Sequence, residues 1–494
     1  MNVTAAGRVH PSAPAKSAKI VDHSATIRHI RGLIWFYLWL LVFEGVFRKW
    51  VLPQLSTPLL LARDPVAVAI YVLAFRARLI PQNVWIVTLE LIAILSWATG
   101  IIVLLPYFPI KTIILVTGYG VRCNYLHLPL IFVIPMVFDL EDVKRVGWWT
   151  MMGMIPMSVL MAAQFASSPD SFINSTAGVG EGVQLGAGSG RIRPPGTFSF
   201  VSGAVYYLSS VAAFMLHAVL GKLPYKTWLL GAAGGALLVG MAVSGSRAAV
   251  LAVGVVAASL AVILFVKPTL AGKFGRYIFF AAIVFWLISY LPVFREGIGI
   301  LSDRFAEGAD AAESSVVGDL VGRTFGDFFD GLRVLTRAPL GGFGLGVGTN
   351  GGANFLVGHV EFLLAENEWS RIILESGPIL GGAFLLWRCA ITFHVGRFSL
   401  SQLRRDNPLP LFLFSASFFA LLEGPFGQPT TLGFAVALAG LALAARARQE
   451  EEPTGKDDER RRAPERHNRR SVYADRLHDS RRRDAPLTHD PFDR

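Results

Sequence analysis

The chain has 494 residues, 53% of them hydrophobic and only 16% charged, with a formal net charge of +11. Soluble domains carry about a quarter charged residues, so the deficit excludes an ordinary soluble enzyme and points to a membrane protein. Much of the arginine lies in a tail that is also rich in Asp and Glu, so the positive balance suits cytoplasmic flanks near anionic lipid and not nucleic-acid binding.

Residues 1–30 form a polar, basic leader, read as cytoplasmic. The apolar run behind it is too long, and too poor in a small-residue cleavage site, for a secretory signal, and reads as an uncleaved anchor. A helix needs about 20 apolar residues to cross the hydrocarbon core. Candidate spans fall at 32–47, 57–75, 83–105, 110–138, 147–167, 198–219, 227–244, 247–266, 277–293, 372–394, 408–422 and 428–445. Segment 110–138 is long for one helix and carries Gly118, Gly120, Arg122, Pro129 and Pro135, so it is expected to be broken or steeply tilted.

Lys and Arg near the span ends set orientation. Arg76 and Arg78, Lys144 and Arg145, Lys222 and Lys226, Lys273 and Arg276, and Arg404 and Arg405 all fall inside if the N-terminus does. The expected fold is therefore an all-α integral membrane protein of about twelve helices with both termini cytoplasmic. Nine helices fall within 31–293, with an outside loop at 168–197, and three within 372–446. A large helical extracytoplasmic loop spans 294–371. The first outside loop is rich in Gly and Ser and is expected to be irregular. In the second, 317–336 has the spacing of an amphipathic helix lying at the membrane surface. Residues 447–494 are Arg, Asp, Glu, Pro and His with almost no aliphatics, and are expected to be disordered.

Charged residues inside spans are costly and mark pairing or function. Glu44 stands beside Arg48 and Lys49, where a salt bridge or interface anchor is expected. Glu90 and Arg122 are candidates to pair with each other. Arg193 and Arg247 stand at outer boundaries, in RIRPPGTF and SGSRAAV, against the positive-inside bias. A guanidinium binds phosphate in bidentate fashion at any relevant pH, so these two suit a pyrophosphate headgroup on a lipid tail. In AENEWSRIILESGPILGG, helical spacing pairs Arg371 with Glu368 and Glu375 as surface ion pairs. Glu366 has no local partner and is a candidate general base, with His359 as its rival. The glycine-rich run at 339–352 lacks a preceding strand and a GK[ST], so it reads as a flexible or tightly turning connector and not a phosphate loop. The two cysteines, Cys123 and Cys389, form no metal or disulfide pattern.

Together RPPGTFSF (193–200), SGSRAAVL (244–251), Arg323, PLGGFGLGVG (339–348) and ENEW…ESGPILGG (366–382) resemble the O-antigen ligase and O-antigen/exopolysaccharide polymerase superfamily. The resemblance is clearest over about 190–385. The ligases carry a His-Asn pair and then a glycine entering the helix. Asn367 and Gly377 stand in those places here, and Glu366 replaces the histidine, which moves the expectation toward a polymerase.

The resemblance implies a GT-C-like membrane glycosyltransferase, independent of metal and cofactor, at the outer face of a bacterial inner membrane. Its catalytic residues would be Glu366, Asn367 and Glu368. Arg191, Arg193, Arg247, Arg323, Arg371 and His359 would bind substrate. The implied partners are an undecaprenyl-pyrophosphate-linked glycan, the bilayer, and a chain-length regulator and flippase of the same pathway, with no nucleic acid. Polymerisation of lipid-linked repeat units is the leading expectation, and ligation of a finished glycan to lipid A core or protein stands beside it. A transporter is disfavoured because no internal repeat is visible. A non-catalytic assembly scaffold that docks through the tail is the remaining reading.

Overall fold

The computed structural model describes residues 23–178, 184–221, 225–269, 282–311, 316–359 and 361–446. The expected tail at 447–494 and most of the leader lie outside the described residues. The leader's last turns do not: helix α1 already begins at His23 and runs to Val46.

The described chain is mostly helical. After α1 come α2 (Arg63–Arg76), α3 (Val84–Leu104), α4 (Ile110–Val121), α5 (Leu130–Val137) and α6 (Leu140–Ala166). A two-stranded antiparallel hairpin follows, β1 (Gly186–Gly188) and β2 (Arg191–Ile192). The expectation of a purely α, irregular first loop is corrected here, because Gly186 pairs with Ile192 and Gly188 with Arg191 in a small ladder. Then come α7 (Val201–Val219), α8 (Thr227–Val243), α9 (Arg247–Val266), α10 (Ala282–Ile288), α11 (Pro292–Ala311) and α12 (Val316–Leu335). The series closes with α13 (Asn350–Val357), α14 (Glu368–Arg404), α15 (Leu409–Leu422) and α16 (Pro429–Ala444).

Among the described residues seven helical stretches are long and apolar enough to cross a membrane, or up to nine if each of two bent pairs counts as one span. One bent pair is the expected broken segment, where a π-turn at Arg122–Leu126 precedes a 43° bend into α5. In the other, Ala282–Ile288 and Pro292–Gly308 meet at 99°, so helix continues well past the expected end of that span at 293. Three expected spans fall on helices of only 17, 14 and 16 residues, α8, α15 and α16. At 1.5 Å per residue these are short of the hydrocarbon thickness. Nearly every residue of α16 is buried, as a helix apolar on all sides should be. It sits among α5, α7 and α15 as the centre of the bundle.

The amphipathic helix expected at 317–336 is present as α12. It packs on α14, with Phe328 edge-on to Trp369 at 5.1 Å. The glycine-rich run resolves into a tight connector, for a reason that lies in α14. Pro378 has no N–H, so the Leu374 carbonyl loses its helical donor, and Gly377 breaks the helix with φ 77°. The glycine-rich loop fills the gap: Phe343 N–H donates to Leu374 O at 2.7 Å and Gly344 N–H to Glu375 O at 3.1 Å. A Cβ on Gly377 would collide with the Leu340 carbonyl, so glycine is required on both counts.

Candidate functional site

The segments carrying the sequence motifs lie at helix ends and in loops. The RPPGT segment is gripped first. Two prolines fix its backbone and Gly196 takes φ 63°, where a Cβ would lie 2.5 Å from the Met157 sulfur. The Gln164 amide accepts from Gly196 N at 2.8 Å and donates to Gly196 O at 3.3 Å. Lys49 Nζ donates to the same carbonyl at 2.6 Å, and Arg48 Nη1 donates to Ser199 Oγ at 3.0 Å. The last turn of the first span is a π-helix, Phe47–Val51, which turns both Arg48 and Lys49 inward.

Arg193 leaves this segment beside the β-hairpin, its Nε donating to Gly186 O at 3.0 Å. Arg304, from α11, donates to that same carbonyl at 3.2 Å. The SGSR turn closes the group: a Cβ on Gly245 would lie 2.9 Å from Ala187 Cβ and 3.7 Å from Arg193 Cγ. Arg247 follows as the first residue of α9, after the Ser246 cap. Arg193 and Arg304 thus both bond to β1, beside the turn that leads into the N-terminus of α9, whose partial positive charge adds to theirs. Arg191 is differently engaged. It forms an ion pair with Glu296 at 2.7 Å and lies over the Phe165 ring, bracing the hairpin on α11 and α6. Arg323 lies in α12, but its side chain is outside the described residues.

The second group lies at the start of α14. Asn367 caps the helix, its Oδ1 accepting from Ser370 N at 2.9 Å, with Nδ2 3.5 Å from Asp330. Glu368 is 3% exposed. Its Oε1 accepts from Arg371 at 2.8 Å, Arg388 at 3.3 Å and Phe426 N at 3.0 Å, and its Oε2 accepts from Arg371 Nε at 2.9 Å. Arg371 also reaches Glu375 at 2.8 Å and Asn124 Oδ1 at 2.8 Å. The expected pairs of Arg371 exist, but they are buried and not on the surface. Glu368 and Arg371 are both buried among these protein partners. His359 is exposed at the end of α13 and paired with Glu361 at 3.2 Å.

Glu366 is solvent-facing and, among the described residues, makes no hydrogen bond or ion pair. It stands in an acidic group with Asp327 and Asp330 of α12 and Glu423, from the loop between α15 and α16. Burial, reinforced by Asp327, pushes the Glu423 carboxyl up to about 8, against the opposing pull of Arg388. Asp327 is raised too, by burial and then by Asp330, Glu368 and Glu366. A carboxyl raised in the folded state is unpenalised below its unfolded value of about 4.5, and stability falls as pH rises from there to about 8. Thermal unfolding of Glu423→Gln is therefore expected to be flatter than wild type over that window, and an unchanged slope would contradict this assignment.

Ser202, at the start of α7, donates to Gln428, the residue before α16, at 2.9 Å. Below Thr197 an apolar cavity of about 560 Å³ runs between α1, α6, α7 and α16, lined by Trp35, Trp39, Trp149, Met157 and Leu441. Among the described residues no group of His, Cys, Asp or Glu could hold a metal ion.

Several charges found partners that the sequence did not indicate. Arg122 pairs with Asp64 at 2.8 Å and not with Glu90, which is exposed. His127 joins Asp64 at 2.9 Å. Glu44 does meet Arg48, at 3.5 Å, and also Arg63 at 3.0 Å. Arg388 is fully buried over the Phe426 ring, 3.8 Å from its centroid. Its position within an apolar span was the one signal that could have marked it. In comparison with known proteins, the chain matches no family model, no curated protein and no solved structure.

Proposed function

We propose that this protein is an integral-membrane glycosyltransferase that polymerises oligosaccharide repeat units carried on undecaprenyl pyrophosphate, at the outer face of a bacterial inner membrane. The proposal takes twelve spans, among them the broken segment 110–138, the run 277–293 and the three short helices, with both termini cytoplasmic and 294–371 as the extracytoplasmic cap. The observation that carries it is the meeting of Arg193 and the SGSR turn around one hairpin, above an apolar cavity that suits a lipid tail.

In this reading Arg193 and Arg247 hold the pyrophosphate and stabilise the charge that develops on it. The acceptor sugar's hydroxyl oxygen bonds to the donor's anomeric carbon as the bond from that carbon to the phosphate oxygen breaks. The electron pair leaves with the lipid pyrophosphate, and the hydroxyl proton passes to Glu366. Glu423, mostly protonated near neutral pH, supplies a hydrogen-bond donor for a neighbouring sugar oxygen. Glu368 and Asn367 support the start of α14 and take no part in the bond changes.

Deletion of the gene tests the reading in cells. The surface glycan is expected to shrink to single repeat units, with single lipid-linked units accumulating at the outer face. Units retained on the cytoplasmic face would instead indicate a flippase. Long chains stranded on the lipid carrier would indicate a ligase.

A further inference from the structure

Lys49 is 3% exposed, and an ammonium removed from water is costly without an anionic partner. Among the described residues its contacts are the Gly196 carbonyl at 2.6 Å and the face of Trp50, 4.2 Å to the ring centroid. The nearest acid along the chain, Glu44, is already shared between Arg48 and Arg63. Lys49 itself has no ion pair among the described residues. Lys49 reaches this position because the helix widens into a π-turn at Phe47–Val51. Such turns cost helix geometry and recur at functional sites.

The side chain also lines a small cleft of about 20 Å³, open at its mouth, whose other walls include Arg193, Asn174, Gln184 and Ser199. A buried ammonium and a guanidinium that line one cleft can both donate to an anion at its mouth. The apolar cavity adjoins it through Thr197, the residue after Gly196. We infer that Lys49 is a ligand for the phosphate groups of the donor, acting with Arg193 across this cleft, and that it recognises phosphate attached to a lipid tail. The inference rests on the function proposed above and adds a binding residue to it.

Full-length protein in nanodiscs tests this by equilibrium binding of three probes: a polyprenyl pyrophosphate, the matching polyprenol, and inorganic pyrophosphate. A charge-assisted contact predicts that Lys49→Met weakens polyprenyl pyrophosphate binding about tenfold or more. Polyprenol binding should be unchanged, and Lys49→Arg should stay within about threefold of wild type. Equal binding of polyprenyl pyrophosphate by wild type and Lys49→Met would overturn the inference. So would a loss of both lipid probes together, which would make Lys49 a strut for Gly196. Inorganic pyrophosphate binding as tightly as the lipid form would overturn the lipid part of the claim. If wild type itself binds polyprenol and polyprenyl pyrophosphate alike, the proposed function falls and not merely the role of Lys49.

Discussion

Glu368→Ala is expected to lower stability by about 3–5 kcal/mol, the cost of breaking a buried ion-pair network from one side. The carboxylate accepts from two guanidinium groups and a backbone N–H. Without it Arg371 keeps Glu375 at 2.8 Å. Arg388 keeps only carbonyls, of which Leu421 at 3.0 Å and Gly424 at 2.9 Å are the nearest, and the Phe426 ring. An uncompensated charge at a fully buried position is the main cost. Glu368→Gln keeps an acceptor oxygen and should lose less. Adding Arg388→Met to it should recover part of the loss, because the orphaned charge is removed as well. Thermal unfolding of the purified protein measures all three. A well-folded but inactive Glu368→Gln with unchanged melting would instead assign Glu368 to the chemistry.

The second large effect concerns the arginines. Arg193→Ala and Arg247→Ala should each reduce glycan transfer about 100- to 1,000-fold, the usual loss when one group stabilising developing charge is removed. Both residues are only half-buried, so neither carries the folding cost of Glu368, and both variants should express and melt as wild type. Lysine at either place should restore part of the rate, since it supplies the charge without the bidentate geometry. The double variant should be little worse than either single one, because groups holding one leaving group act as a unit.

What could be read from the sequence follows the range of each physical signal. Apolar runs give helices because the pattern is local, and α12 was legible from the spacing of its phenylalanines. Glu368, Arg371 and Glu375 could be paired from their three- and four-residue steps. Their burial could not, since it depends on Phe426 and Asn124 arriving from distant parts of the chain. The same limit hid Arg63 with Glu44, Asp64 with Arg122, and the place of Glu423 beside Asp327. Gly377 and Pro378 announce a helix break. That the glycine-rich loop supplies the missing donors follows only from the fold. Arg193 and Arg247 stood out in the sequence as exceptions to a charge rule; Lys49 and Arg304 are exceptions to the same rule, and the carbonyls they bond follow only from the fold.

The most direct test of the proposed function is chain extension by the purified protein in liposomes with a lipid-pyrophosphate-linked repeat unit, without ATP or an ion gradient. Wild type should convert single units into a ladder of longer chains and release lipid pyrophosphate, and Arg247→Ala should leave the units unextended. Movement of intact units across the bilayer by a well-folded wild type, with no ladder and no released lipid pyrophosphate, would contradict it.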